Sequence, residues 1–390
     1  MPIQRWKSIV YSCVLLLLAG CVEPYAPDVI VAPNQFLVVD GFINTNGITT
    51  IKLSRTQNIS EEQLPTAETG ATMLLEEEQG TTYFLQETTP GTYTSSNLSL
   101  DAARKYRITI HTSAGQNYAS EYVAVKQTPP IDNISWQALD NKLQIYVNSH
   151  DPENNTHYYR WEYEATWAFT AAFGSNIRYD AASGKVVPRT LQDEDIYHCW
   201  KTDKSTDIKL GATSNLTKDV IHEYAILTLP STAEELRFKY SVLVKQYALT
   251  QEAYQYWETL RKNTEGIGTL FDPLPSQLTG NVHNLSDATE PVIGYVGAST
   301  VKEKRIFITR NQLPADWHIR FPTCQLDSLL PIPPETFEEL AGRFRNGNYL
   351  PVSEIYPPMG FPTPIGYTAA AKECVDCRTR GTNVKPDFWE

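Results

Sequence analysis

Apolar and polar residues trade places at every second position along most of this chain, the pattern of strands that bury one face. Phe36-Leu37-Val38-Val39 opens the series. Ile51 and Leu53 oppose Lys52 and Ser54. Ala71, Met73 and Leu75 oppose Thr72, Leu74 and Glu76, and Tyr106, Ile108 and Ile110 oppose Arg107, Thr109 and His111. Gln79-Gly80 and Ser113-Ala114-Gly115 supply turns. No helical period interrupts residues 35–128, which predicts a first antiparallel β-sandwich. Pro129-Pro130 cannot extend a ladder and predicts a hinge after it.

The alternation then resumes. Leu143, Ile145 and Val147 oppose Gln144, Tyr146 and Asn148. After a turn at Asp151-Pro152-Glu153-Asn154-Asn155, one strand face holds Tyr159, Trp161, Tyr163, Ala165 and Trp167, and the other Tyr158, Arg160, Glu162 and Glu164. Leu236, Phe238, Tyr240, Val242 and Val244 repeat the pattern. These runs predict a second sandwich over 129–310, immunoglobulin-like or fibronectin-like. One helix is inserted at 250–263. Thr250 can cap it, Glu252 suits its positive end, and Ala253, Tyr254, Trp257 and Leu260 recur at helical spacing. Residues 311–390 carry Pro331, Pro333, Pro334, Pro351, Pro357, Pro358, Pro362 and Pro364, with only 335–344 helical in pattern. That predicts an irregular segment packed on the second domain. The fold class expected is thus mainly β: two tandem antiparallel β-sandwich regions, one helix, and a Pro-rich, disulfide-held C-terminal segment.

The amino-terminal residues break the pattern. Arg5 and Lys7 precede an apolar run from Ile9 to Gly20, and Leu18-Ala19-Gly20-Cys21 closes it. A charged start, a short apolar stretch and small residues before a cut describe an export signal. The run is short of the roughly 20 residues a spanning helix needs. Cysteine at the first mature position matches a bacterial lipobox, so residues 1–20 are expected to be a lipoprotein signal peptide and Cys21 the lipid-bearing residue. Residues 21–34, with Pro24, Pro27 and Pro33, read as an extended tether. Val22 stands where Asp would signal inner-membrane retention, which favours the outer membrane, on its periplasmic or cell-surface side.

Net charge is −12. The signal contributes two cations and no acid, so the mature chain is more acidic still, which excludes a nucleic-acid partner. Cys199, Cys324, Cys374 and Cys377 remain after export, an even number that suggests two disulfides. The favoured pairings join Cys324 to one of Cys374 and Cys377, and Cys199 to the other, because a Cys374–Cys377 bond closes only a tiny loop.

Catalytic signatures are missing: the chain has no HExxH, GxSxG, GxxxxGK[ST] or GxGxxG. No cofactor is expected. Asp151, Glu153, Asn155 and Glu162 occupy positions 1, 3, 5 and 12 of a calcium loop, but Thr156 stands where the turn needs Gly, leaving a weak Ca²⁺ candidate at Asp151, Glu153 and Asn155. The Cys374-Val375-Asp376-Cys377 pair lacks the further ligands of a zinc site and reads as structural. Tyr159, Trp161, Tyr163 and Trp167 read as core. Trp200, Trp317 and Trp389 are expected in loops, where they could contact a sugar or a partner.

Several stretches together resemble a known family. Phe36-Leu37-Val38-Val39-Asp40-Gly41, Gly268-Thr269-Leu270-Phe271-Asp272-Pro273, Gly280-Asn281-Val282, Gly294-Tyr295, Cys374-Val375-Asp376-Cys377-Arg378 and Lys385-Pro386-Asp387-Phe388-Trp389, behind the lipobox, are similar in order to the Bacteroidota lipoproteins catalogued as domain of unknown function 4249. The resemblance covers almost the whole mature chain. It implies a cell-envelope lipoprotein associated with TonB-dependent outer-membrane receptors, and it transfers no catalytic residues. The function expected is that of a non-enzymatic outer-membrane lipoprotein, an accessory or substrate-capture partner of a TonB-dependent transporter. The alternatives are a stand-alone surface protein that binds glycans or peptides, and a hydrolase of unrecognised type.

Overall fold

The computed structural model describes residues 35–57, 64–190, 192–265, 278, 280–318, 323–358 and 362–389. The signal peptide, Cys21, the tether and the Gly268–Pro273 stretch lie outside them. The first strands are β1 (Leu37–Asn44), β2 (Asn46–Arg55), β3 (Thr72–Glu77), β4 (Thr82–Thr89), β5 (Thr92–Ser99), β6 (Lys105–His111), β7 (Asn117–Ser120) and β8 (Val123–Lys126). The chain continues through β9 (Ile131–Leu139), β10 (Lys142–His150), β11 (Tyr158–Thr170), β12 (Ile177–Asp180), β13 (Lys185–Pro188), β14 (His198–Lys204), β15 (Lys209–Ala212), β16 (Val220–Pro230) and β17 (Lys239–Ala248). Helix α1 (Gln251–Glu265) precedes β18 (Val282–Asn284), β19 (Ala298–Ser299) and β20 (Val301–Thr309). Three strands follow: β21 (Asp327–Leu329), β22 (Tyr349–Ile355) and β23 (Gly366–Ala371).

The first region is a closed barrel, which corrects the expected sandwich. Its ring runs β6-β3-β4-β5-β2-β1-β19-β8, and β8 pairs back onto β6 through Tyr106 opposite Val123. The expected alternation is realised: Leu37, Val39, Ile51, Leu53, Met73, Leu75, Ile108 and Ile110 fill the interior. Eight strands make a barrel just wide enough for side chains to pack. Gly41 lets β1 and β2 approach closely. Its φ is +142°, and an added Cβ would lie 2.4 Å from the Thr50 carbonyl oxygen.

The strand that closes the barrel, β19, comes from far along the chain. It lies parallel to both β1 and β8. Val282, Val292, Val296 and Ala298 join the barrel core with it. The expected second domain, 129–310, is therefore not continuous in space, because its 281–299 stretch belongs to the barrel. A parallel pairing needs a long crossover, and the second region is that crossover.

In the second region, one sheet has the order β16-β10-β9. The other has the order β14-β11-β17-β20, with β15 also on β11. Both feed one core that includes Leu143, Ile145, Tyr159, Trp161, Ile226, Tyr240 and Val242. Gln246 is fully buried there and fully bonded. Trp161 Nε1 donates to its Oε1 at 2.8 Å, and its Nε2 donates to the Pro129 carbonyl at 2.9 Å and Ser149 Oγ at 2.8 Å. Pro129-Pro130 is thereby stitched in place rather than left as a free hinge. The Thr128 amide donates to Thr300 Oγ1 at 2.9 Å, and the Ala248 amide donates to Thr128 Oγ1 at 3.0 Å.

The C-terminal segment is not irregular. It forms a three-stranded sheet, β21-β23-β22. Pro351 sits on an outer strand beside a register shift, a place where a missing amide does no harm. Leu340, Phe344, Tyr367 and Ala369 pack with Ile177 of β12. Disulfides Cys199–Cys377 and Cys324–Cys374 tie the segment down. Among the described residues, no helix is long and apolar enough to cross a membrane.

Candidate functional site

A cavity lies where the barrel meets the second region. Its volume is about 160 Å³. Strands β1 and β2 bring Asp40, Phe42 and Lys52 to it, β8 brings Lys126, β11 brings Arg160 and Glu162, and β17 brings Tyr247. Helix α1 roofs it with Ala253 and Trp257, and Tyr295 closes one side.

Each wall follows from local sequence. Arg160 and Glu162 share the polar face of β11, turned away from Tyr159 and Trp161 in the core. Helix α1 starts where predicted: the Ala253 amide donates to Thr250 Oγ1 at 3.2 Å, an N-cap. The helix bridges two regions rather than lying on one. Tyr254 meets Tyr158 of β11 at 5.0 Å, while Tyr256 meets Tyr295 at 5.5 Å. Burial, with Asp40 nearby, pushes the Tyr256 hydroxyl up to about 12.

Arg160 is the centre of the aromatic wall. Its guanidinium lies 4.7 Å from the Tyr247 ring centroid and 4.3 Å from that of Trp257, a double cation–π contact. Phe42 meets Tyr247 edge-on at 4.9 Å. Glu162 ties the set together, taking Arg160 Nη1 at 2.8 Å and the Tyr247 hydroxyl at 2.7 Å. Burial, reinforced by Glu162, holds the Tyr247 hydroxyl protonated well above its usual range. Glu162 is thus committed to its neighbours. What remains open to a ligand is the space between these side chains, with Asp40, Lys52 and Lys126 among its lining residues.

The residues singled out from sequence lie elsewhere. Trp317 and Trp389 are buried rather than exposed. Trp317 packs in the core of the second region, and Trp389 meets Phe307 at 5.7 Å. Trp200 is on strand β14, not in a loop, and half-buried; its backbone pairs with Thr382. The Asp151 turn does not offer a cation a ligand set. The Asp151 carboxylate already accepts from the amides of Glu153, Asn155 and Thr156 at 3.0, 2.9 and 2.8 Å. Burial pushes its pKa up, but those three bonds outweigh it and hold the carboxyl below its usual range. Among the described residues, no group of His, Cys, Asp or Glu is arranged to hold a metal.

The cleft residues were visible individually in the sequence. Asp40-Gly41 belongs to a family-like stretch, and Trp257 to the helix. Nothing in their spacing announced that they meet.

The sequence matches the family described as Domain of unknown function (DUF4249) over residues 22–305, well over half of the chain. The chain belongs to this family. That span takes in every wall of the cleft. No curated protein matches the chain. Among solved structures, chitinase ChiA74 from Bacillus thuringiensis is similar at 12% identity, over 57% of this chain and 32% of its own, with a TM-score of 0.16. The chain thus spans about a third of that chitinase. A structure of manganese lipoxygenase of Gaeumannomyces graminis with partial zonadhesin of Komagataella pastoris is similar at 12% identity, over 57% and 91%, with a TM-score of 0.17. Neither likeness carries an argument about this fold or its chemistry.

Proposed function

We propose that this chain is a non-enzymatic, lipid-anchored outer-membrane protein that captures a small ligand for a TonB-dependent transporter. The observation that carries the reading is the cleft. A cavity walled by Phe42, Tyr247, Trp257 and Tyr295, with a few charged groups at its edges, has the composition of a small-molecule site. The stitched junction at Thr128, Thr300 and Gln246 supports a pre-formed site, which lowers the ordering cost of binding. Cys21, acylated after removal of residues 1–20, would hold the site at the membrane through the 21–34 tether; stable anchoring takes more than one acyl chain. In this reading the two sheets of the second region act as an immunoglobulin-like or fibronectin-like platform beneath the cleft.

The test is affinity purification of the tagged full chain from detergent-solubilised outer membranes. A TonB-dependent transporter is expected among the recovered proteins, and Cys21→Ala is expected to release the chain from the membrane fraction. Recovery of the chain without any such transporter overturns the proposal.

A further inference from the structure

Of the two disulfides, one is sealed in a core and the other opens on a cavity. Cys199 and Cys377 are both buried and pack in the core of the second region. Backbone bonds hold the chain around them: the Cys377 amide donates to the Ile196 carbonyl at 2.8 Å, and the Trp200 amide donates to the Thr382 carbonyl at 2.8 Å. Cys374 is buried as well, but its partner Cys324 is only partly buried. Cys324 lines a cavity of about 290 Å³ together with Thr170, Phe173, Glu234, Arg237 and Arg380.

That cavity suits a thiolate. Its lining holds two guanidiniums and one carboxylate. Arg380 Nη1 donates to both oxygens of Glu234, at 3.0 and 2.8 Å, and Arg237 Nη1 donates to Thr170 Oγ1 at 3.1 Å. Arginine keeps its charge throughout the range in which thiols titrate. An electropositive, partly exposed setting favours the thiolate form, whereas a buried structural cysteine is inert. Exchange is governed by access to the sulfur and by the stability of the thiolates that enter and leave.

We infer that Cys324–Cys374 is an exchange site for an external dithiol, and that Cys199–Cys377 is the permanent cross-link. A thiolate of the dithiol enters the cavity and attacks Cys324 Sγ. The S–S bond breaks, and its electron pair leaves on Cys374 Sγ, which takes up a proton. The second thiolate of the dithiol then attacks the mixed disulfide at the dithiol's own sulfur and releases Cys324, protonated in turn. The dithiol ends as a disulfide, and the two cysteines end as thiols. Because Cys199–Cys377 stays intact, and Leu340, Phe344 and Tyr367 keep their packing with Ile177, the C-terminal sheet remains docked while the loop between Cys324 and Cys374 is unfastened. The Cys374-Val375-Asp376-Cys377 motif thus divides its two cysteines between a switchable bond and a fixed one.

The test treats the full chain, in detergent micelles, with dithiothreitol, quenches with iodoacetamide and maps the label by mass spectrometry. Cys324 and Cys374 are expected to be labelled together at least about tenfold faster than Cys199 and Cys377, because the buried bond is reached only after the core opens. The circular dichroism spectrum is expected to stay unchanged through that first step. Simultaneous labelling of all four cysteines overturns the inference. So does labelling of Cys199 and Cys377 first, or labelling of Cys324 and Cys374 only after the spectrum collapses. The point of attack is checked with single thiols. The Cys324 thiol left in Cys374→Ala is expected to react with N-ethylmaleimide faster than the Cys374 thiol left in Cys324→Ala, and the reverse order overturns attack from the cavity.

Discussion

Gln246 shows how a single polar side chain can hold two regions in register. It sits on β17 in a core of Trp161, Tyr159 and Ile145, and its amide reaches the Pro129 carbonyl where the chain enters from the barrel. Replacing it with Leu keeps the volume but strands the Trp161 Nε1 donor and the Pro129 acceptor. Each unpaired buried group costs about 1–3 kcal/mol, so Gln246→Leu is expected to destabilise by about 2–6 kcal/mol in urea unfolding. A loss below about 0.5 kcal/mol would show that this network does not hold the junction. Tyr159 makes a comparable buried bond, its hydroxyl donating to Asp219 at 2.5 Å, while Thr213 donates to the other carboxylate oxygen at 2.6 Å. Tyr159 and Trp161 read as core from sequence because they share a strand face. Their polar atoms were the unread part, since partners 60 or more positions away leave no local trace.

At the scale of elements, the C-terminal sheet departs furthest from expectation. Proline density argued against strands, yet β22 accommodates Pro351 at an edge and β21 and β23 complete the sheet. The Cys199–Cys377 bond joins β14 to this segment across 178 residues, and Cys324–Cys374 spans 50. Removing the longer cross-link in a Cys199→Ala, Cys377→Ala double variant is expected to cost about 2–5 kcal/mol, the usual range for a native disulfide. Thermal unfolding followed by circular dichroism would detect it, and an unchanged midpoint would mean the segment is held by its apolar contacts alone. Helix α1 is the opposite case. Its start at Thr250 was legible, because an N-cap is a local signal. Its two-sided packing was not, because helical spacing identifies an apolar face without naming what it meets.

For the molecule as a whole, the decisive feature is that residues 298–299 close a barrel begun at residue 37. A fragment covering 35–128 therefore lacks a strand of the ring and leaves β1 and β8 unpaired along one edge. It is expected to show no cooperative unfolding transition, whereas the full chain does. A fragment that melts cooperatively would restore the independent first domain that the linear pattern suggested. The same closure creates the cleft, since β1, β2, β8 and β19 form its barrel side while β11, β17 and α1 form the other. By itself, the sequence determined that the protein is mainly β, which strand faces are buried, where the helix begins, and that Cys199 pairs with the late cysteines. These follow from local periodicity, a capping residue and the elimination of a tiny loop. Only the tertiary structure decided that the first region is a barrel, that its last strand arrives after the second region, and that Asp40, Lys126, Arg160 and Trp257 share one cavity. A period of two marks the face a strand hides but not the strand it hides against, so contacts between distant stretches are settled only when the whole chain packs.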